Sequence, residues 1–322
     1  YYGVSGCDNF ASGYRSLHCN NGCWNTAIGY RALCTNNTGS HNVAFGCSAL
    51  GGNTTGGNNF AALNAALGGN TTGTSNVAIG SCAMAGNTTG GYNVGIGQKA
   101  AYLNTTGSEN IALGQAALMC NTTGIRNIAL GAESLCSSLS SDNNFAAGYR
   151  ALRYSWGGSN NAAIGSYALY GNTTGCYNTA IGNNALKCNT TGNDNQAIGP
   201  SALCVNTTGN CNIAIGCKAL LANTTANDNN AIGHEAMFSN TTGTANNGFG
   251  KYVLGYNTEG INNTGMGQNA GMSNTDGDCN SFYGYAAGRY LANGSTTLTS
   301  PDNSTYIGAC TRGAAVGDTN VT

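Results

Sequence analysis

Charge is scarce in this chain. Its 322 residues include 11 Lys and Arg and 12 Asp and Glu, 7% in all, where an ordinary domain has roughly 25%. The net charge of -1 leaves no basic field to hold nucleic acid or an anionic membrane surface. No apolar run reaches the ~18 residues of a bilayer-spanning helix, so membrane insertion is not expected. Histidine is limited to His18, His41 and His234, and there is no Cys-x-x-Cys pair, so neither a zinc site nor a thioredoxin-like motif has support. The carboxylates Glu109, Glu133, Glu235 and Glu259 are scattered and assemble no glycosidase-like pair. Asp276 and Asp278, near Glu259, read as a solvated turn in preference to a cation site. With 51 glycines, a match such as Gly95-Ile96-Gly97 carries no phosphate-binding information. No catalytic residue, cofactor or metal is expected, and the chain does not read as an enzyme. An initiator Met and a signal-peptide pattern are also missing at Tyr1, which suggests a mature or partial product.

What is present is a strict period. An Asn recurs every 17 residues from Asn25 to Asn280, and the shared text is close to N-x-A-I-G-x-x-A-L-x-x-N-T-T-G-x-x. Numbered from that Asn, position three is Ala or Gly, position four is apolar, position five is Gly except at Leu63, and position nine is mostly Leu. Gly at position five and the N-T-T-G stretch would break a helix every turn or two. Two short strands per unit, joined by turns, fit better. One such unit cannot bury its face alone, whereas stacked units can. The expected fold is all-β, a parallel β-solenoid or β-roll of about eighteen rungs, roughly 4.8 Å apart and on the order of 85 Å long. Residues 1–24 read as partial and irregular rungs, 25–279 as the regular array, and 280–322 as looser rungs with an insertion around 295–301. Ile at position four and Leu at position nine are expected inside the coil. Small residues at three, five and eight would let backbones or neighbouring chains approach, and the position-one Asn would form a hydrogen-bonded ladder.

At Asn25-Thr26-Ala27-Ile28-Gly29-Tyr30-Arg31-Ala32-Leu33 the chain resembles the N-S-V-A-I-G head repeats of trimeric autotransporter adhesins. It is closer still to the N-T-A-I-G and N-T-T-G repeat arrays of tail-fibre-like and adhesin-like surface proteins. The resemblance covers residues 9–293. It implies a left-handed parallel β-roll, usually trimeric, displayed outside the cell. The 17-residue unit is longer than the adhesin-head unit, and the many cysteines are a second departure.

Position twelve opens an N-x-[ST] sequon at Asn36, Asn53, Asn70, Asn87, Asn104, Asn121, Asn172, Asn189, Asn206, Asn223 and Asn240. Asn262, Asn293, Asn303 and Asn320 lie off that register or beyond the regular array. In a secretory product these are candidate N-glycan acceptors on exposed turns. N-T-T-G is equally good turn chemistry. Asn257-Thr258-Glu259-Gly260 and Asn274-Thr275-Asp276-Gly277 keep the turn without the sequon, and Asn223-Thr224-Thr225-Ala226 does the reverse.

Fifteen cysteines point to an oxidising compartment. Cys7 and Cys23, Cys120 and Cys136, and Cys188 and Cys204 are near-period pairs, one residue short of a full rung. Cys19 and Cys34 join that class because the rung before Asn25 is one residue short. Such residues fall on adjacent rungs, close enough for four disulfide staples. Cys47, Cys82, Cys176, Cys211, Cys217, Cys279 and Cys310 have no assigned partner, and an odd number leaves at least one unpaired or shared between chains.

Together these features suggest an extracellular or cell-surface structural rod that joins copies of itself end to end into a glycosylated fibril, with lateral or trimeric association as further modes open to it. The array runs out at both ends without an evident cap, which motivates the end-to-end expectation; the rival is an ordered piece of a longer protein. The alternative function is an adhesin or tail-fibre-like stalk that binds a receptor or cell-surface glycan. An ice-binding solenoid is a minor alternative, since adjacent threonines such as Thr54 and Thr55 point to opposite sides.

Overall fold

The computed structural model describes residues 6–291 and 293–313. The chain divides into two compact units, Tyr1–Asn160 and Asn161–Thr322. Each is a parallel β-solenoid with no helix among its described residues. The first unit carries β1 (Phe10–Ser12), β2 (Thr26–Ile28), β3 (Val43–Phe45), β4 (Phe60–Ala62), β5 (Val77–Ile79), β6 (Val94–Ile96), β7 (Ile111–Leu113), β8 (Ile128–Leu130) and β9 (Phe145–Ala147). Each strand pairs in register with the same residues one rung on, as Ala27 does with Ala44 and Ala44 with Ala61. Only the first step is shorter, Ala11 opposite Ala27.

The second unit carries β10 (Ala162–Ile164), β11 (Thr179–Ile181), β12 (Gln196–Ile198), β13 (Ile213–Ile215), β14 (Asn230–Ile232), β15 (Asn247–Phe249), β16 (Thr264–Met266) and β17 (Ser281–Tyr283). The next strand of this sheet, β19 (Thr305–Ile307), lies opposite β17 after an insertion, with Ser281 facing Thr305. Inside the insertion β18 (Tyr290–Leu291) pairs with β20 (Arg312–Gly313). Ser304, not Asn303, takes position one of the last rung, since its N–H donates to Asn280 Oδ1 at 3.0 Å.

One expectation about the rung is corrected. Position four is not in the core: Ile28 is 39% exposed and Ile164 40%, whereas Ala27, Ala32, Leu33, Ala163, Ala168 and Leu169 are fully buried. Successive strand residues face opposite ways, so burying position three turns positions two and four outward. The coil is narrow, and Ala at three and eight with Leu at nine fill it. The fit is volumetric. Where Met84 stands at position nine, position three of the next rung is Gly95, at which a Cβ would lie 2.8 Å from Met84 Cγ. The large Phe282 at position three is matched by Gly271 and Gly288, whose Cβ positions would fall 2.5 and 2.4 Å from its ring.

In the rungs of β1–β16 only one strand forms per rung. The second apolar cluster is a turn held by left-handed residues at positions seven and nine, as Cys82 (φ 57°) and Met84 (φ 51°) show, with a third at position seventeen, Tyr92 (φ 58°). Each left-handed residue costs about 1–2 kcal/mol. The turn keeps its bonds to neighbouring rungs: Cys82 N–H donates to Asn64 O at 2.9 Å, Met84 N–H to Ala100 O at 2.8 Å and Tyr92 N–H to Thr74 O at 3.0 Å. Glycine at position five, replaced once by Leu63 (φ 85°), suits both the positive φ and the close approach there. At Gly80 (φ +141°) a Cβ would stand 2.4 Å from Gly97 O.

Two ladders of buried Asn side chains run along each unit. At position one, Asn25 Oδ1 accepts from Asn42 N–H at 2.9 Å, and Asn42 Nδ2 donates to Gly56 O at 2.9 Å. At position twelve, Asn53 Nδ2 donates to Asn36 Oδ1 at 2.7 Å and to Gly56 O at 2.9 Å. Departures from the repeat register in this ladder. Ser138 replaces Asn after Asn121 and bonds to Ser141 Oγ instead, leaving Asn121 Oδ1 buried without a partner. Leu298 occupies the same place after Asn274, whose Oδ1 is likewise unpaired. Ala226, in place of Gly, accompanies a stretched rung: Thr224 N–H reaches Thr241 O at 3.3 Å, against 2.9 Å for Thr190 to Thr207.

Asn87→Ala removes donors to Asn70 Oδ1 (2.7 Å) and Gly90 O (3.0 Å) and the acceptor used by Asn104 Nδ2 (2.8 Å). It is expected to destabilise the chain by about 3 kcal/mol, because buried partners are left unsatisfied. The exposed Thr89→Ala should stay within about 0.5 kcal/mol. Thermal or denaturant unfolding followed by circular dichroism checks both; equal effects would contradict the ladder account.

Candidate functional site

The outward strand positions form the most distinctive surface. None of the 11 basic or 12 acidic residues stands in β1–β17 or β19. In the first unit, both outward columns of β2–β9 are apolar from Val43 onward: Val43, Phe60, Val77, Val94, Ile111, Ile128 and Phe145 at position two; Phe45, Ala62, Ile79, Ile96, Leu113, Leu130 and Ala147 at position four. These side chains are half-buried by their own neighbours or exposed, and Phe45 packs edge-on against Phe60 with ring centroids 6.2 Å apart. The second unit differs. Its position-four column stays apolar, but its position-two column includes Thr179, Gln196, Asn230, Asn247, Thr264 and Ser281, with Asn230 Nδ2 donating to Asn247 Oδ1 at 2.8 Å.

The structure places the sequon asparagines in two classes. Asn36, Asn53, Asn70, Asn87, Asn104, Asn121, Asn172, Asn189, Asn206, Asn223 and Asn240 are all fully buried. Their Nδ2 atoms donate to the backbone carbonyl three residues on, as Asn189 does to Gly192 O at 2.9 Å. A glycan on that nitrogen would displace these bonds and has no outlet, so the reading of these turns as exposed acceptors is corrected. N-T-T-G is turn chemistry here. Asn262, Asn293 and Asn303 are exposed. Asn320 lies outside the described residues.

The near-period cysteines do fall on adjacent rungs. Cys19 N–H donates to Cys34 O at 3.2 Å, Cys120 N–H to Cys136 O at 2.9 Å and Cys188 N–H to Cys204 O at 3.0 Å. All three pairs thus occupy one register, position eleven against position ten of the next rung. Cys7 and Cys23 bring their sulfurs to 2.6 Å. Burial pushes the Cys136 and Cys204 thiols up, and the neighbouring Cys120 and Cys188 add to the shift. Cys47 and Cys217 lie at position six, Cys82 and Cys310 at seven, Cys176 at sixteen, and Cys211 and Cys279 at seventeen.

The polar residues serve local structure. His41 stacks on Trp24 at 4.8 Å, His18 Nδ1 lies 3.2 Å from Cys19 Sγ, and His234 Nε2 lies 4.0 Å from Glu235 Oε1. Asp276 accepts from Ser300 and Thr275 hydroxyls, which hold its carboxyl below the usual range. Asp278 Oδ1 accepts from Ile261 N–H at 2.8 Å, and its own N–H donates to Asp302 Oδ1 at 2.8 Å. These carboxylates serve turns, and no cluster of three metal-ligating side chains occurs among the described residues. One charged group was not anticipated. Arg150 Nε and Arg153 Nη1 both lie 3.0 Å from Glu133 Oε2, with Arg150 over Tyr149 and Arg153 over Tyr154. It sits on the two rungs whose position-twelve Asn is replaced by Ser, Ser138 and Ser155, and that replacement was the signal available in the sequence.

Comparison with protein-family models and with curated proteins finds no match.

Oxidation of each thiol pair, with two electrons and two protons passing to dioxygen or a disulfide donor, is expected to give Cys7–Cys23, Cys19–Cys34, Cys120–Cys136 and Cys188–Cys204. Each closes a loop of about 15 residues and adds about 3 kcal/mol. Peptide mapping without reduction checks the pairing, and reductant should lower the melting temperature. Scrambled linkages would count against the shared register. For the sequons, glycopeptide mapping of secreted material should find occupancy only among Asn262, Asn293, Asn303 and Asn320, with the eleven buried sites bare.

Proposed function

We propose that this chain is an extracellular structural protein, a β-solenoid element that adds to copies of itself along the stacking axis to form a fibril. The observation that carries this reading is the translational sameness of the rungs. Through most of the array each presents to the next the same strand edge, the same position-one and position-twelve Asn amides, and the same Ala and Leu core. An edge complementary to its own repeat is a template for another chain, and a heterologous contact of this kind extends without closing. The cysteine pairs on adjacent rungs support an oxidising, extracellular setting. A second reading, an adhesin or tail-fibre-like stalk that takes a receptor or glycan, draws on the Glu133, Arg150, Arg153 and Tyr154 group with exposed Trp156.

Electron microscopy of purified, oxidised protein should show unbranched filaments. With 32.4 kDa spread over 322 residues and 17 residues per ~4.8 Å rise, one chain in cross-section corresponds to about 3.6 kDa per nm. Filament masses should be whole multiples of that figure. Discrete particles at all concentrations would overturn the proposal.

A further inference from the structure

The outer sheet face of the first unit is apolar over most of its length. Over β3–β9 all fourteen outward side chains are apolar. Antiparallel and parallel sheets that face water normally alternate apolar-in with polar-out, and exposed edges and faces are guarded by charge. Here no Lys, Arg, Asp or Glu interrupts the face. Phe45 is 37% exposed and Ile96 38%, although each is flanked by equally apolar neighbours along the ladder. The second unit shows that the fold does not demand this. Its rungs stack on the same register with Gln196, Asn230 and Asn247 at position two.

We infer that this face packs against the same face of a second copy, sheet on sheet, so that the chain associates laterally as well as along its axis; the inference rests on the fibril reading above. Three features select a second copy as the occupant. The face is a flat ladder with a side-chain step of ~4.8 Å, and another rung ladder offers a surface with the same step into which it can interdigitate. The face is uncharged, so bringing two together buries no unpaired charge. Its footprint fits a contact that repeats along an array, not one that stands alone. Seven three-residue strands cover about 33 by 10 Å, or roughly 330 Å² per copy. That lies below the ~800 Å² per partner of a standard stable interface. Paired once, such faces would hold weakly. Repeated along a fibril, the contacts become intramolecular after the first, and avidity of 10²–10⁴-fold, roughly, makes the pairing persistent. Lateral pairing through this face is therefore expected to accompany assembly along the axis.

The test is mass per unit length by scanning transmission electron microscopy on wild type, on the double variant Ile79→Lys/Ile96→Lys, and on a control, Thr179→Lys/Asn230→Lys, in the polar column of the second unit. Circular dichroism melts establish that each variant folds, and Ile79→Thr/Ile96→Thr replaces the lysine variant if it does not. Wild type and control filaments should measure about 7 kDa per nm, twice the single-chain figure, and the double variant about 3.6. Wild-type filaments at the single-chain value would overturn the lateral pairing and leave the fibril reading intact. A value near three chains would replace face-to-face pairing by a three-fold arrangement and so overturn it. Failure of all forms to make filaments would remove the fibril reading itself. Co-flotation of wild type with phosphatidylcholine vesicles, abolished in the double variant, would reassign the face to lipid.

Discussion

The buried asparagine amide is the interaction on which the rest of this architecture depends. A 17-residue coil encloses too little volume for an ordinary hydrocarbon core, and what it does enclose is mostly Ala methyls and one Leu per rung. The sharp turns that close so small a coil leave carbonyls such as Gly56 O and Gly73 O pointing inward. Each needs a donor, because a buried unpaired carbonyl costs roughly 1–3 kcal/mol. Two amides converge on each: Asn42 and Asn53 on Gly56 O, Asn59 and Asn70 on Gly73 O. Each amide also passes a bond to the neighbouring rung. The same side chains therefore hold the turn and the stack, and a polar interior does the work that apolar burial does in larger domains.

This arrangement dictates the surface as well. With position three of the regular rungs held to Ala or Gly by the width of the coil, the bulkier strand residues at two and four stand on the outside. The narrowness of the core thus turns the larger strand side chains outward, while the choice of apolar or polar residues there differs between the two units. Among the described residues, charge falls mainly in the turns, most often at positions seven and seventeen, where the backbone is left-handed. The two surfaces of a rung carry different chemistry because its backbone has two regimes, a short pleated strand and a tight left-handed turn.

The period, the parallel stacking, the position-one Asn ladder and the placement of near-period cysteines on adjacent rungs were legible in the sequence, since each follows from spacing alone. The side on which Ile stands was not. Alternation says only that three and four face opposite ways, and reading the larger side chain as the buried one ignored how little room a 17-residue ring leaves. A signal was present nonetheless. Met84 is followed by Gly95, Met237 by Gly248, and Phe282 is bracketed by Gly271 and Gly288, so positions three and nine trade volume, as only two residues sharing one core do. The N-T-T-G turns were ambiguous for a different reason: a sequon and a turn motif share their letters, and only burial separates them. Asn257 and Asn274, which lack the sequon yet make the same bonds, were the sequence's indication that the turn came first.

Uniformity makes the exceptions informative. Position twelve is Asn in every rung from Asn36 to Asn121, then Ser138 and Ser155, then Asn again from Asn172. The ladder loses its continuity where Asn121 Oδ1 finds no donor. The same rungs gain what the others lack: the Glu133, Arg150 and Arg153 ion group, cation–π contacts to Tyr149 and Tyr154, and a buried Ser155 hydroxyl that takes over the bond to Gly158 O at 2.9 Å. The first compact unit ends directly after them. A half-exposed ion group is worth less than a buried amide ladder, since its charges stay hydrated. In the rungs of 127–160 this chain thus trades part of its buried amide ladder for an ion group at the surface.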